Sequence, residues 1–391
     1  MIRRTAQDTL ERLAASFPVV TITGPRQSGK TTLCRMTFPD LPYVSLEAPD
    51  RRAYAREDPR GFLRSVAGGA ILDEVQRAPE LTSYLQGVVD EDPTPGRFIL
   101  TGSRNFSVIE AISQSLAGRT GLLELLPFEL EELQRFPDTA PDLFQALLWG
   151  GYPALFDRRP DREDWLGSYV TTYVERDVRQ ILNVGNLLAF QAFLGLSAGR
   201  CGQLLNLSGL GADAGVDAKT ARAWLSVLEA GYITWRLPPW SGNVNKRLVK
   251  TPKLYFSDTG VLCHLLGIRS AEQLRVHPLR GQVFENWVLV ELRKRVLNAG
   301  RRPVHFFYRD RKGLEVDLVA RDGRGWLAVE IKSGETIGRD FFRGLDGLDA
   351  VPGFPELRRA LVFGGDQRQE RSRTLVVPWR ETAMLLDPHG V

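Results

Sequence analysis

The sequence is poor in sulfur and imidazole. Three cysteines, Cys34, Cys201 and Cys263, and four histidines are scattered over 391 residues. With no CxxC pair, a disulfide framework and a thiolate zinc site are excluded, and a reducing compartment is expected. Long apolar runs are also missing: no window approaches the roughly 18 uncharged apolar residues of a membrane-spanning helix. The opening MIRRTAQDTLERLAA places Asp8, Glu11 and Arg12 where a signal peptide needs an apolar stretch, so a surface helix is expected there. These absences assign the protein to the cytoplasm, with no membrane partner. Charge of one sign is not dominant either, since 51 Lys and Arg face 47 Asp and Glu for a net +4. That balance permits an anionic partner without requiring one. No internal repeat or low-complexity linker is present, so the folding units are expected to pack against one another.

What is present is average for a soluble globular chain, 43% hydrophobic and 25% charged. At about 150 residues per domain, the length implies two or three units. The first third alternates apolar runs with helical patterns: FPVVTITG at 17–24, LPYVSLE at 41–47, GGAILDE at 68–74 and RFILTGS at 97–103. Strands spaced in this way predict an α/β unit with a parallel sheet covered on both faces. After Pro137 the pattern turns helical, and Trp149, Tyr152, Trp165, Tyr169 and Tyr173 are expected in its core. Residues 186–268 read as two helical stretches followed by the strands YITWRL and KLYF. From Arg269 onwards a helix at 282–298 and the strands VHFFYR, LEVDLVA and WLAVEIK predict a second α/β unit. The expected boundaries are therefore 1–135, 136–185 (a helical lid or linker), 186–268 and 269–391.

Gly24 to Thr31 reads GPRQSGKT, the GxxxxGK[ST] phosphate-binding pattern, between an apolar strand and a helical stretch. The backbone of Gly24, Pro25, Arg26, Gln27, Ser28 and Gly29 is expected to curl its N–H groups towards nucleotide phosphates, at the positive end of the following helix. Lys30 is expected to reach the β- and γ-phosphates and Thr31 to supply a hydroxyl to Mg²⁺. Thr32 adjoins the nucleotide or packs. The strand AILDE ends in Asp73 and Glu74, the first to hold Mg²⁺ through its water shell and the second to polarise the attacking water. A helix-capping role is the alternative for Asp73. The strand FILTGSRN brings Thr101, Ser103 or Arg104 as candidates to sense the γ-phosphate. Arg119 in SLAGRTG is the candidate cation for the charge developing on the transferring phosphoryl group, facing its own site or that of a neighbour in a homo-oligomer.

Read in order, TITGPRQSGKTTL, AILDEVQRAPEL, FILTGS and SLAGRTGLLELLPFEL resemble the AAA-type ATPase family in which the ATPase is fused to a C-terminal domain of unknown function. The similarity continues through GGYPALF, YVTTYVERDV, KTPKLYFSDTGV and GQVFENWVLVEL, so it covers nearly the whole chain. It implies an AAA-related P-loop NTPase core that binds ATP.

In the middle region a short helix and a Gly-rich turn lead to Asp217, a good N-cap residue, and then to a helix with Ala221, Trp224, Leu225 and Leu228 at core spacing. Its other face offers Lys219, Thr220 and Arg222. Followed by two strands, this resembles a winged helix able to enter a major groove. The intervening SGNVNKRLVKTP with the lysine that follows it carries Lys246, Arg247, Lys250 and Lys253 without an acid, which suits a phosphate backbone. DNA is favoured over RNA as the partner.

In the last region GLEVDLVA carries Asp317, and WLAVEIKSG carries Glu330 and Lys332, which share one face of a strand. Two carboxylates and a lysine suit Mg²⁺-dependent phosphodiester hydrolysis, with Asp317 and Glu330 as ligands and Lys332 positioning water or stabilising the phosphate. The arrangement resembles the PD-(D/E)xK nuclease superfamily, including an acid on an earlier helix, matched by Glu285; Val316 stands where that pattern has Pro. Glu315 is expected on the opposite strand face. Eleven Lys and Arg against four acids between 269 and 312 favour a polyanionic substrate. The combined expectation is an Mg²⁺-dependent ATPase acting on nucleic acid through a winged helix and a nuclease-like domain. The alternative is a nucleotide-dependent switch or interaction protein whose C-terminal fold is catalytically silent.

Overall fold

The computed structural model describes residues 2–103, 115–137, 142–175, 186–240, 250–351, 356–371 and 373–387. Arg104, Lys246 and Arg247 lie outside the described residues, as does the side chain of Tyr173. The chain divides into two compact units: residues 1–128 with 230–232 and 297–300 form the first, and the remainder forms the second.

The first unit is built on a five-stranded parallel sheet in the order β2-β3-β4-β1-β5. Its strands are β1 (Val19–Thr23), β2 (Tyr43–Ser45), β3 (Ala70–Asp73), β4 (Phe98–Gly102) and β5 (Thr120–Glu124). β1, β3 and β4 are buried along their whole length, as expected of strands covered on both faces. Helix α1 (Gln7–Ala14) is not wholly a surface helix: Leu10, Leu13 and Ala14 pack in one apolar cluster with Val20, Ile22 and Leu123. Helix α2 (Lys30–Thr37) leaves the phosphate-loop sequence, and α3 (Leu81–Glu91) lies between β3 and β4 in the chain. β5 is absent from the sequence expectations, because its alternation spans only Gly121, Leu122 and Leu123 and merges with the apolar run that follows.

The second unit begins with short helices whose aromatic side chains enter the core, as expected: Tyr152 and Tyr169 are buried and their hydroxyls lie 2.8 Å apart. Helices α4 (Leu187–Gly199), α5 (Leu207–Asp213) and α6 (Ala218–Ala230) follow. After them β6 (Thr234–Leu237) and β7 (Lys253–Phe256) pair antiparallel. Helix α7 (Arg280–Asn298) leads to a mixed six-stranded sheet in the order β12-β13-β11-β10-β9-β8. β8 (Val304–Arg309), β9 (Glu315–Asp322) and β10 (Gly325–Lys332) form an antiparallel meander. Beyond it, β11 (Leu357–Phe363) and β13 (Thr374–Pro378) run parallel to β10, and β12 (Gln369–Arg371) pairs antiparallel with β13. One continuous apolar core runs from Leu130 to Leu386, so the three segments expected here share their burial.

Candidate functional site

The phosphate-loop sequence bridges β1 and α2 at the carboxyl end of the sheet, where parallel α/β sheets bind ligands. Two backbone positions there require glycine. Gly24 has φ 147° and a Cβ on it would stand 2.1 Å from the Leu125 carbonyl oxygen; Gly29 is left-handed at φ 91° and caps α2. Arg4, in a segment expected at the surface, is buried and fastens this loop. Its guanidinium donates to the carbonyls of Ser28 (2.7 Å) and Leu126 (2.8 Å) and stacks on Phe128.

Lys30 is only 6% exposed, and its ammonium donates to the carbonyls of Gly24 (3.0 Å) and Pro25 (2.7 Å). Burial lowers its pKa from 10.5 to about 8, against the opposing pull of Glu74 and Asp73. The hydroxyl of Ser28 is fully buried and has no hydrogen-bond partner among the described residues. A buried cation and an orphaned hydroxyl on one loop fit a nucleotide's phosphates as their missing partner. Thr32 is exposed and does not pack, and Arg26 lies 4.0 Å from Glu47.

β3 delivers Asp73 to the same end of the sheet, where three hydroxyls converge on its carboxylate. Thr31 donates to Oδ1 at 3.1 Å, Thr101 donates to the same oxygen, and Tyr43 donates to Oδ2 at 2.7 Å. Its alternative role as a helix cap is not seen: the following 3₁₀ turn, Val75–Arg77, is preceded by Glu74 and has no side-chain cap. Thr31 and Asp73 form an oxygen pair of the kind a hard divalent cation takes beside substrate phosphates. Glu74 follows in the left-handed region (φ 58°, ψ 48°), a conformation that costs a non-glycine residue about 1–3 kcal/mol. Its carboxylate accepts from Ser103 (2.9 Å) and from the Gln76 amide. Lys30, Thr31, Asp73, Glu74 and Ser103 are therefore joined in one neighbourhood.

Arg119 is not part of it. Its carbonyl accepts from the Val19 amide at 3.3 Å, so it sits where β1 and β5 begin, one strand length of about 16 Å from the phosphate loop. Its guanidinium is paired with Asp90 of α3, with one oxygen 2.9 Å away. The unrecognised β5 explains the difference: a parallel strand starting at Thr120 leaves Arg119 at the sheet's amino end.

In the second unit Lys219 and Arg222 are exposed on α6, opposite the buried Ala221, Trp224, Leu225 and Leu228, and the Asp217 carboxylate caps the helix through the Thr220 amide at 2.7 Å. Lys250 is exposed. Lys253 is not a wing cation: it is 2% exposed, 3.1 Å from Glu285 and 2.6 Å from Glu315. Burial would lower its pKa, but Glu285, Asp317 and Glu315 outweigh that and raise it. Glu315 and Asp317, two apart on β9, share a face, which corrects the expectation that they oppose one another. Leu318 faces Val329 in the register, and this brings Asp317 level with Glu330.

Lys332 lies 2.5 Å from Glu330 and 4.0 Å from Asp317, and the Ile331 amide donates to Asp317 at 2.8 Å. Burial, reinforced by Asp317, pushes the Glu330 carboxyl up to about 8. Glu285, raised by burial, also accepts from the Tyr255 hydroxyl. Glu285, Asp317, Glu330 and Lys332 thus interact in one cluster, joined by Lys253 and Glu315. Among the described residues no group of three or more His, Cys, Asp or Glu is arranged to hold a metal ion; the register leaves Asp317 and Glu330 side by side as the two carboxylates expected to take Mg²⁺.

No helix among the described residues is long and apolar enough to cross a membrane. Residues 16–134 match a family described as "AAA domain", 140–272 a domain of unknown function (DUF8612), and 280–382 another (DUF4143). Among solved structures, the Walker-type ATPase PABY2304 of Pyrococcus abyssi is 16% identical with TM-score 0.47, covering 67% of this chain and 95% of that one. AMPPCP-bound DnaA from Aquifex aeolicus is 17% identical with TM-score 0.30, covering 57% and 85%. Two curated relatives, the uncharacterized proteins Rv2008c of Mycobacterium tuberculosis and Mb2031c of Mycobacterium bovis, are each 33% identical over 381 residues, covering 96% of this chain and 82% of theirs. Coverage of that extent, with an AAA domain around the phosphate loop, means that the chain belongs to the family of these two mycobacterial proteins, as an AAA-type P-loop protein with two further domains of unknown function.

Proposed function

We propose that the protein binds and hydrolyses ATP with Mg²⁺ and couples turnover to nucleic acid, DNA in the first instance. The observation that carries the proposal is the buried Lys30 ammonium, held by loop carbonyls beside the unpartnered Ser28 hydroxyl. Lys30 and the loop amides bind the phosphates, and Glu74, held by Ser103 and Gln76, accepts a proton from the attacking water. Thr31 and Asp73 would hold Mg²⁺, which supplies charge neutralisation at the phosphates when bound. Lys30→Ala is expected to abolish ATP binding. Glu74→Gln keeps binding and loses hydrolysis by about 10²- to 10⁴-fold. Wild-type turnover in either variant would refute the assignment.

The exposed Lys219, Arg222 and Lys250 support winged-helix contact with a phosphate backbone, to which Lys246 and Arg247 are proposed to add. For the last sheet, the PD-(D/E)xK-like reading rests on the gathering of Glu285, Asp317, Glu330 and Lys332. A second reading, in which this cluster is catalytically silent, is favoured by the engagement of its carboxylates with Lys253 and Lys332. Incubation of the intact chain with single-stranded, duplex and branched DNA in Mg²⁺ or Mn²⁺ separates the two. Cleavage that disappears in Lys332→Ala establishes the nuclease, and no cleavage on any substrate leaves the silent cluster.

A further inference from the structure

One donor at the nucleotide site has no counterpart among the motifs read from the sequence. Tyr43 opens β2, the edge strand of the first sheet, and its hydroxyl donates to Asp73 Oδ2 at 2.7 Å. The residue is 38% exposed, so it is not an ordinary core tyrosine. The register sets Ser45 beside Asp73, which places the Tyr43 backbone two residues, about 7 Å, before that level. A phenol spans that gap and a shorter hydroxyl side chain does not. The Arg35 guanidinium, from the phosphate-loop helix α2, stands 5.1 Å over the centre of the ring and fixes its plane. The two oxygens of Asp73 are thus held differently. Oδ1 takes Thr31 and Thr101, while Oδ2 takes Tyr43. With Tyr43 removed, Oδ2 loses this donor and the carboxylate is freer to turn about its terminal torsion, a broad and soft one.

We infer that Tyr43 is a positioning residue, which orients the Asp73 carboxylate towards Thr31 for the divalent cation that accompanies the nucleotide. The inference rests on the ATPase reading above and deepens it. Its test is calorimetric titration of ATP into the full chain and into Tyr43→Phe, each in EDTA and in excess Mg²⁺. Wild type is expected to gain affinity with Mg²⁺. Tyr43→Phe is expected to lose roughly tenfold of that gain, the scale of one hydrogen bond to a charged group, with its Mg²⁺-free affinity unchanged. An equal Mg²⁺ gain in both proteins overturns the inference. A parallel loss with and without Mg²⁺ also overturns it, because general loosening of the edge strand gives that result. Failure of the wild type to bind ATP at all is a separate outcome, which defeats the ATPase reading and the inference with it.

Discussion

Lys30 shows how one buried charge sets the behaviour of a site. An ammonium lowered from 10.5 to about 8 is charged at neutral pH and loses its proton just above it. Bound phosphates favour the charged form and so raise the pKa in the complex. Between the two values binding takes up a proton, and affinity falls by up to tenfold per pH unit as pH rises above about 8. Titrations from pH 7 to 9.5 in buffers of different ionisation enthalpy check both the slope and the proton uptake; Lys30→Arg, charged throughout, is expected to flatten the slope. Lys253 gives the opposite case, a buried cation held by its carboxylates. Lys253→Met leaves Glu285 and Glu315 without it, at an expected cost of about 3–5 kcal/mol in denaturant unfolding, and adding Glu285→Gln with Glu315→Gln recovers most of that. Neither residue's burial is legible locally. Lys253 follows three other cations in an acid-free stretch, and its partners lie 32 and 62 positions away.

Elements were legible where periodicity is strong and local. The strands of the first sheet at 19–23, 43–45, 70–73 and 98–102 fall within the apolar runs that predict them, and the helix expected at 282–298 appears as Arg280–Asn298. β5 was not, and with it went the placement of Arg119, since one unseen strand decides which end of the sheet a residue occupies. α6 illustrates what periodicity does settle: core residues at 221, 224, 225 and 228 leave Lys219 and Arg222 on the exposed face. Charge reversal of both is therefore expected to leave folding intact. It should weaken DNA binding and reduce the log–log salt slope by about 0.9 for each phosphate no longer neutralised. Fluorescence anisotropy across a salt series reads this, and an unchanged slope removes α6 from the interface.

At the scale of the whole molecule, the proposed coupling makes one demand: DNA must accelerate ATP turnover. Steady-state hydrolysis with and without duplex DNA is expected to show a rise in kcat that is lost in the Lys219/Arg222 double reversal. No stimulation by any nucleic acid would favour the switch reading. The family motifs that carry no chemistry find their role at this scale too. Asp258 of SDTG accepts from the Gly151 amide of GGYP at 2.7 Å, Asn286 of FENW bonds both backbone groups of Phe256, and Glu291 accepts from the Leu130 amide at 2.7 Å. Side chains from one family motif hold the backbone of another, and this tie joins the segments of the second unit around one core.

By itself the sequence determined the phosphate loop, the strand that presents Asp73 and Glu74, and the polar face of α6. Each of these is encoded within about a dozen consecutive residues, where chain geometry alone places one group relative to the next. Only the tertiary structure decided that Arg4 fastens the loop, that Tyr43 holds Asp73, that Arg119 belongs to the far end of the sheet, and that Lys253 and Glu315 join the last cluster. Those facts depend on strand order, register and burial. Such properties come from segments tens of residues apart meeting in space, and the same lysine or arginine is a solvated charge or a buried tie according to what it meets.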